Sequence, residues 1–216
     1  MKRYDTIIFD LDGTLLDTIG DLTESVNYVM QIHKFPLHTE NEVKMVLGNG
    51  VGYLIKHMIP NGTKNLLYNS CVEEFQAYYA EHINAHTLPF PGISELLETL
   101  KKEGFKMAIV SNKFDAAVKE LKDVYFGEQI QVAIGESEAV SRKPAPDMLL
   151  KAVKELESSL ERTVFVGDSE VDIETAQNAG VPCISVLWGF REKIVLEKNG
   201  ALHFAKTPDE LLEMLL

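Results

Sequence analysis

The sequence is poor in cysteine, and this excludes a disulfide-built fold. Only two cysteines occur in 216 residues, Cys71 and Cys183, and they lie far apart with no Cys-x-x-Cys spacing. Two cysteines cannot form a disulfide framework in a chain of this length. We therefore expect both to be reduced thiols and the protein to be cytoplasmic.

Basic residues are also scarce, with 21 Lys and Arg against 33 Asp and Glu and a formal net charge of -12. Because this charge repels the phosphates of nucleic acids, we expect no nucleic-acid partner. A small anion can still bind, provided that a cation or a well-placed lysine reverses the field locally.

Long apolar runs are absent, and no stretch approaches the roughly 20 apolar residues that a membrane helix needs. The run Ile7-Ile8-Phe9 is too short for the apolar region of a signal peptide. We therefore expect no membrane partner. The composition, 45% hydrophobic and 25% charged, is ordinary for a globular protein.

Five short apolar runs predict buried strands, at residues 6–9, 106–110, 132–134, 163–166 and 183–187. Their apolar character is continuous rather than alternating, which is typical of parallel strands covered on both faces. Helical patterns at 93–103, 146–157, 171–179 and from 207 separate these strands. The alternation predicts an α/β fold with a doubly wound parallel sheet.

Residues 17–87 break the alternation, since they show helical patterns and no convincing strand. Thr39 and Glu42 have the spacing of a capping box, and helices are predicted over 50–59 and 64–86. We predict an α/β core formed by residues 1–16 and 88–216, with an inserted all-helical cap domain at 17–87.

Two carboxylates, Asp10 and Asp12, stand where the first predicted strand stops. In extended backbone, residues i and i+2 face the same side, and two close like charges need a cation or a shared proton. Gly13 allows a sharp turn directly afterwards. A plain Asp/Gly turn is the alternative interpretation of this segment.

The fourth predicted strand also ends at a carboxylate, Asp168, and Asp172 follows in the first turn of a helix. Ligands of open parallel sheets bind beyond the carboxyl ends of the strands, where Asp10, Asp12 and Asp168 would meet. Converging carboxylates favour a hard divalent cation, and Mg²⁺ fits. For Asp172 alone, an ordinary helix-dipole partner is an equal alternative.

Polar residues at two further strand ends are candidates for binding an anion. Ser111 and Asn112 can donate hydrogen bonds to an oxyanion, although plain capping of the next helix is an equal interpretation. Lys143 precedes two prolines that stiffen its loop, so it can serve as a phosphate counter-charge, whereas a lone loop lysine is usually only solvated.

Taken together, these motifs resemble the haloacid dehalogenase superfamily, in particular its phosphoglycolate phosphatase-like subgroup. The pattern is Asp10-x-Asp12-Gly13-Thr14, then Ser111, then Lys143, then Gly-Asp168-Ser with Asp172. The motifs occur in order at predicted strand ends, and the helical insert stands where this family carries a cap.

The resemblance implies a role for each motif residue. Asp10 would be the nucleophile that becomes an aspartyl-phosphate, and Asp12 would be the general acid and base. Mg²⁺ would be held by the Asp10 carboxylate, the Asp12 backbone carbonyl and Asp168, while Asp172 would support that set of ligands or anchor Lys143. Ser111 and Lys143 would bind the phosphoryl oxygens, with Asn112 beside them, and Gly13 and Thr14 would support the loop.

The same resemblance implies that the substrate is a small phosphate ester. The cap turn around Asn49 and Gly50 is similar to a Gly-Asn-Gly turn of phosphoglycolate phosphatases, which makes 2-phosphoglycolate the leading candidate. A flexible connection between helices is the alternative for this turn. We expect a monomer or a homodimer.

Several other functions are compatible with these residues. A phosphomutase of the beta-phosphoglucomutase type uses the same core and a similar cap, and pyrophosphate or sugar phosphates are alternative substrates. The non-enzyme alternative is a receiver-like domain that accepts a phosphoryl group on an aspartate and holds it.

Overall fold

The computed structural model describes residues 3–216, and the chain divides into two compact units. One unit comprises Met1–Asp17 and Pro89–Leu216, and the other comprises Thr18–Leu88. The first unit is an α/β unit and the second is helical. Within the described residues, no helix is long and apolar enough to cross a membrane.

The α/β unit is built on one parallel sheet of six strands. The strands of the protein are β1 (Thr6–Phe9), β2 (Leu16–Asp17), β3 (Leu88–Pro89), β4 (Lys106–Phe114), β5 (Val132–Glu136), β6 (Thr163–Gly167), β7 (Cys183–Val186) and β8 (His203–Ala205). The large sheet has the order β5-β4-β1-β6-β7-β8, and its neighbouring strands all pair in parallel. The short strands β2 and β3 pair separately.

Helices connect these strands and make up the second unit. The α/β unit contains α5 (Ile93–Lys102), α6 (Asp115–Tyr125), α7 (Asp147–Glu155), α8 (Glu170–Ala179), α9 (Lys193–Lys198) and α10 (Pro208–Leu215). The helical unit contains α1 (Ile19–Ile32), α2 (Glu40–Lys44), α3 (Val51–Met58) and α4 (Tyr68–Glu81). The predicted fold class, a doubly wound parallel sheet with an inserted helical unit, is confirmed.

The strand order also decides between two of the predicted functions. Counted along the chain, the six strands of the large sheet run 3-2-1-4-5-6, with the switch in order between β1 and β6. Receiver domains have the order 2-1-3-4-5 instead. The receiver-like alternative is therefore wrong, because this sheet does not have the receiver strand order.

Strand β1 lies at the centre of the sheet because its neighbours cover it on both sides. Phe9 pairs with Ile109 of β4 and with Val166 of β6, and all four residues of β1 are fully buried. On one face, Ile8 belongs to an apolar cluster that includes Met148 and other side chains of α7. A central, doubly covered strand explains the continuous apolar run in the sequence.

Strand β4 is longer than its apolar pattern predicts. The pattern ends at Val110, but the strand continues to Phe114, with a shift in register against β5 between these two residues. Helix α6 begins at Asp115 with Phe114 as its N-cap, so the interpretation of Ser111 and Asn112 as helix caps is wrong. Such an irregularity redirects the side chains next to it.

In the helical unit, α1 packs against α2 and α4, and α3 packs against α4. Val29 of α1 and Phe75 of α4 are fully buried. The capping box of Thr39 and Glu42 is confirmed, with hydrogen bonds in both directions.

Helix α4 is shorter than the predicted span of 64–86. Asn65 accepts a hydrogen bond from the Leu67 amide, a local turn that delays the start of the helix to Tyr68. The C-cap of α4 is His82. At the start of α10, the Thr207 hydroxyl accepts a hydrogen bond from the Glu210 amide, and the Glu210 carboxylate accepts one from the Lys206 amide.

Candidate active site

Asp10 stands directly beyond β1 and is held there by the backbone. Its amide donates a 2.9 Å hydrogen bond to the Val166 carbonyl, which extends the pairing of β1 with β6. Its side chain is buried, with 6% of the residue exposed. The carboxylate is thus placed by the register of two central strands and not by a flexible loop.

The loop after Asp10 turns at Gly13, whose φ of 86° favours glycine. A Cβ at this position would collide with the Asp168 carboxylate and the Phe190 ring. Thr14 is buried and its hydroxyl donates to Asp168 Oδ1 at 3.3 Å. Gly13 therefore lets the β1 loop approach the end of β6 closely enough for the two loops to share contacts.

Asp172 lies in the first turn of α8, and both of its carboxylate oxygens accept hydrogen bonds from other residues of the protein. Its Oδ2 accepts from the Ser169 amide at 3.0 Å and the Ser169 hydroxyl at 2.6 Å, and together these two residues form a capping box. Its Oδ1 accepts from Lys143 Nζ at 2.7 Å. Asp172 is thus more than an ordinary partner of the helix dipole.

Lys143 joins two carboxylates that lie on separate elements. Its ammonium lies 2.8 Å from Asp10 Oδ1 and 2.7 Å from Asp172 Oδ1, and its side chain is 2% exposed. Asn112 supports the same loop by donating to the Lys143 carbonyl at 2.9 Å. The interpretation of Lys143 as a solvated loop lysine is therefore wrong.

The electrostatics of this cluster follow from burial and from like charges. Burial, together with the charge of Asp172, raises the Asp10 pKa to about 7, although Lys143 opposes the effect. Burial and the charges of Asp172 and Asp10 raise the pKa of Asp168 well above its usual range. Burial alone would lower the Lys143 pKa, but Asp10 and Asp172 outweigh it and raise that pKa.

These carboxylates fit a divalent cation. Oxygen atoms of Asp10, Asp168 and Asp172 lie within 4.8 Å of one another, and all three residues are buried. The Lys143 ammonium contacts Asp10 and Asp172 at 2.8 and 2.7 Å, and its single positive charge does not balance three ionised carboxylates. A divalent ion with oxygen ligands compensates such an excess.

The irregular end of β4 brings a second lysine to the site, which the sequence reasoning missed. Lys113 Nζ lies 2.9 Å from Asp12 Oδ1, and its side chain is 4% exposed. Ser111 is buried and accepts a hydrogen bond from the Lys113 amide at 3.2 Å. In the sequence, the only indication of a role for this lysine is its place directly after Ser111 and Asn112 at a strand end.

The segment after β7 also contributes contacts that the sequence did not reveal. The Phe190 amide donates to Asp168 Oδ2 at 2.7 Å, and the Trp188 indole donates to the Thr14 carbonyl at 2.9 Å. A Cβ on Gly189 would collide with Asp168 and with the Gly13 carbonyl. Because the Phe190 contact uses the backbone amide, the type of side chain at this position does not indicate the contact in the sequence.

Asn49 and Gly50 belong to the helical unit. They lie in the turn between α2 and α3, where Gly50 is the N-cap of α3 with a φ of 80°. Both residues are partly exposed. The backbone at Gly50 therefore has a conformation that favours glycine.

Comparisons with known proteins all indicate the same family of hydrolases. The model of the family described as haloacid dehalogenase-like hydrolase matches residues 7–186. A phosphoglycolate phosphatase of Aquifex aeolicus is 31% identical over 85% of this chain and 85% of that protein. One of Mesorhizobium japonicum is 28% identical over 97% of this chain and 96% of that protein.

Solved structures agree with these relatives. A crystal structure from Lactobacillus delbrueckii subsp. bulgaricus is 36% identical, with a TM-score of 0.95. The match covers 100% of this chain and 99% of that one. The protein in that crystal structure is described as a predicted phosphoglycolate phosphatase.

Proposed function

The chain belongs to the haloacid dehalogenase-like hydrolase family, and on this basis we propose that it is a phosphatase of small phosphate monoesters. The reaction proceeds through an aspartyl-phosphate formed on Asp10, and 2-phosphoglycolate is the leading substrate. The observation that carries the proposal is the placement of Asp10: a buried carboxylate at the end of the central strand, 2.8 Å from Lys143 and grouped with Asp168.

In this proposal Mg²⁺ is held by the carboxylates of Asp10 and Asp168 and by the backbone carbonyl of Asp12. The ion supplies positive charge to the phosphoryl oxygens and to the carboxylates around it. Asp172 is assigned a different task, because both of its oxygens already accept hydrogen bonds from Ser169 and Lys143. It anchors the ammonium of Lys143.

In the first step, an Asp10 oxygen attacks the phosphorus atom. The new bond joins that oxygen to phosphorus, and the bond from phosphorus to the leaving alkoxide breaks. Asp12 gives its proton to the departing oxygen. Lys113, 2.9 Å from Asp12, keeps this carboxyl group in place.

In the second step, Asp12 takes a proton from a water molecule, whose oxygen attacks the phosphorus. The bond from Asp10 to phosphorus breaks, inorganic phosphate leaves, and the Asp10 carboxylate is regenerated. Ser111 and Lys143 bind the phosphoryl oxygens in both steps, with Asn112 steadying the Lys143 loop. Phosphoryl transfer depends mainly on such positioning and charge stabilisation.

The choice of 2-phosphoglycolate rests on two supports. Relatives at 31% and 28% identity carry the name phosphoglycolate phosphatase. In addition, Lys113 gives the site a second buried ammonium, and a substrate that bears a carboxylate beside its phosphoryl group suits two cations.

Residues 17–87 are proposed to act as a cap over the catalytic core formed by 1–16 and 88–216. A closed cap excludes water during the first step, and opening of the cap admits water for the second. The turn around Asn49 and Gly50 is the proposed contact with the substrate, since a glycine turn lets backbone amides approach an anion closely.

The proposed setting is cytoplasmic, with the protein acting as a monomer or homodimer and without a nucleic-acid partner. Two free cysteines and the net charge of -12 support this setting.

The deciding experiment measures phosphate release from 2-phosphoglycolate and a panel of other esters, with Mg²⁺ and with EDTA. Wild type is compared with Asp10→Asn, and Asp123→Asn serves as the control because its side chain is 73% exposed on the surface of the same unit. We expect turnover that requires Mg²⁺ and is lost in Asp10→Asn but kept in Asp123→Asn.

Two outcomes would count against the proposal. Absence of phosphate release from every ester would overturn it and would make the phosphomutase the next hypothesis to test with sugar phosphates. Turnover that survives in Asp10→Asn would remove Asp10 as the nucleophile. A clear preference for another ester would change the substrate and leave the mechanism standing.

A further inference from the structure

The helical unit contains a second cluster of potential metal ligands that the proposed phosphatase reaction does not use. Cys71 and Glu74 lie one turn apart on α4, so their side chains share a face of that helix. His33 is the C-cap residue of α1, which packs against α4. Helix packing therefore brings together one imidazole, one thiol and one carboxylate.

The geometry of this triad is compact. His33 Nε2 lies 2.6 Å from Glu74 Oε2. One ligand atom from each of His33, Cys71 and Glu74 lies within 4.8 Å of the other two. An ion bound by all three residues would replace the hydrogen bond between His33 and Glu74.

We propose that His33, Cys71 and Glu74 form a binding site for a zinc-class divalent ion. The donor set is imidazole nitrogen, thiolate sulfur and carboxylate oxygen, which is a combination that Zn²⁺ accepts in tetrahedral sites. Three protein ligands leave the fourth position to water. The proposal does not depend on the phosphatase reaction, because no residue of the triad takes part in it.

The charges of the triad support a cation. A divalent ion would displace the thiol proton of Cys71 to solvent and bind the thiolate, while His33 would donate its Nε2 lone pair. The charges of thiolate and carboxylate then balance those of the ion.

The burial pattern gives the ion a route to the site. Cys71 is fully buried, whereas the side chains of His33 and Glu74 are 14% and 33% exposed. An ion can thus enter past the imidazole and the carboxylate and reach the sulfur. Once bound, it would link the end of α1 to α4 and stabilise the helical unit.

The donor types also separate this site from the proposed magnesium site. The ligands proposed for Mg²⁺, which are the carboxylates of Asp10 and Asp168 and the Asp12 carbonyl, are all oxygen atoms, and these suit hard cations. The triad offers nitrogen and sulfur, which suit zinc and cobalt. Ligation by sulfur is therefore the signature that distinguishes the two sites.

The test is a titration of the reduced, metal-free full-length protein with Co²⁺ in the presence of excess Mg²⁺. The readout is the sulfur-to-cobalt charge-transfer band together with the visible bands of tetrahedral cobalt, followed by displacement with Zn²⁺. The variants are Cys71→Ala, His33→Ala and Glu74→Gln. Cys183→Ala is the matched control, since Cys183 is the other cysteine and lies outside the triad.

We expect one equivalent of cobalt to produce the charge-transfer band in wild type and in Cys183→Ala. Cys71→Ala should lose the band, and His33→Ala should bind cobalt at least about 100-fold more weakly. Zn²⁺ should raise the melting temperature of wild type but not that of Cys71→Ala.

The proposal is overturned if wild type shows no charge-transfer band, or if the band disappears in Cys183→Ala and persists in Cys71→Ala. Unchanged cobalt affinity in both His33→Ala and Glu74→Gln would also overturn it. Circular dichroism of each metal-free variant separates loss of binding from loss of folding. Should Cys71→Ala fail to fold, the partly exposed His33 and Glu74 variants still decide the question.

Discussion

Replacing Asp10 with Asn should stabilise the metal-free protein at neutral pH, although it removes the proposed nucleophile. The buried site raises the Asp10 pKa to about 7 from its ordinary value of 3.8. Between these two values the folded protein keeps a proton on Asp10 that the unfolded chain releases. The free energy of unfolding of wild type therefore falls as the pH rises through this interval.

The size of the effect follows from the width of that interval. Each pH unit between the two pKa values costs about 1.4 kcal/mol, which amounts to about 4 kcal/mol when the whole interval has been crossed. Relaxation and entry of water around a buried charge reduce this cost, so we expect a gain of about 2 to 4 kcal/mol for Asp10→Asn above neutral pH. The gain should shrink toward zero near pH 4, where Asp10 of the unfolded chain is also protonated.

The assay is urea unfolding of wild type and Asp10→Asn in EDTA, at several pH values from about 4 to about 8. Asp123→Asn is the control, because its exposed side chain should give no comparable difference. Addition of Mg²⁺ should narrow the gap, since wild type gains binding energy that the variant, lacking one ligand, does not.

A variant less stable than wild type at about pH 8, or a stability gap of equal size at about pH 5 and about pH 8, would refute this reasoning. Either result would mean that Lys143 fully compensates the Asp10 charge. The raised pKa of Asp10 would then have no energetic consequence for folding.

Three further substitutions test the site. Lys143→Met should lower kcat at least about 100-fold because it removes charge stabilisation of the phosphoryl group, and near-normal phosphate release would contradict the role given to this lysine. Gly13→Ala should destabilise the protein by about 1 to 3 kcal/mol more than Gly104→Ala in urea unfolding. Both glycines have positive φ, but only a Cβ at Gly13 meets neighbouring atoms, and equal losses would rule out the clash with Asp168. Lys113→Gln should lower kcat/KM for 2-phosphoglycolate about 10- to 100-fold more than for ethyl phosphate, which lacks the carboxylate; an equal loss on both would remove Lys113 from substrate selection.

The fold could be predicted to a large extent because buried parallel strands leave a strong local signal. Strand β1 was placed at its observed residues, and β6 to within one residue, since every side chain in them is buried. The end of β4 and the edge strand β8 were missed. Residues 111–113 are polar, and β8 has only three residues, one of them buried, so neither segment carries an apolar run.

The candidate site could be predicted only in part. Asp10 and Asp168 were found because each ends an apolar strand, and a strand end is visible in the sequence. Lys113 was missed because a register shift in β4 brings it to Asp12. No local sequence pattern indicates this shift. The Phe190 amide was missed because a backbone donor has no residue type to recognise.

The sequence by itself determined which chemical groups the protein has and that strand ends would carry them, because burial and turn formation are local properties of the chain. The tertiary structure alone decided which groups meet. Lys143 reaches Asp172 across 29 residues, and Lys113 reaches Asp12 across 101 residues. These pairings depend on strand order and register, which arise when distant strands pair and which no single segment of the sequence encodes.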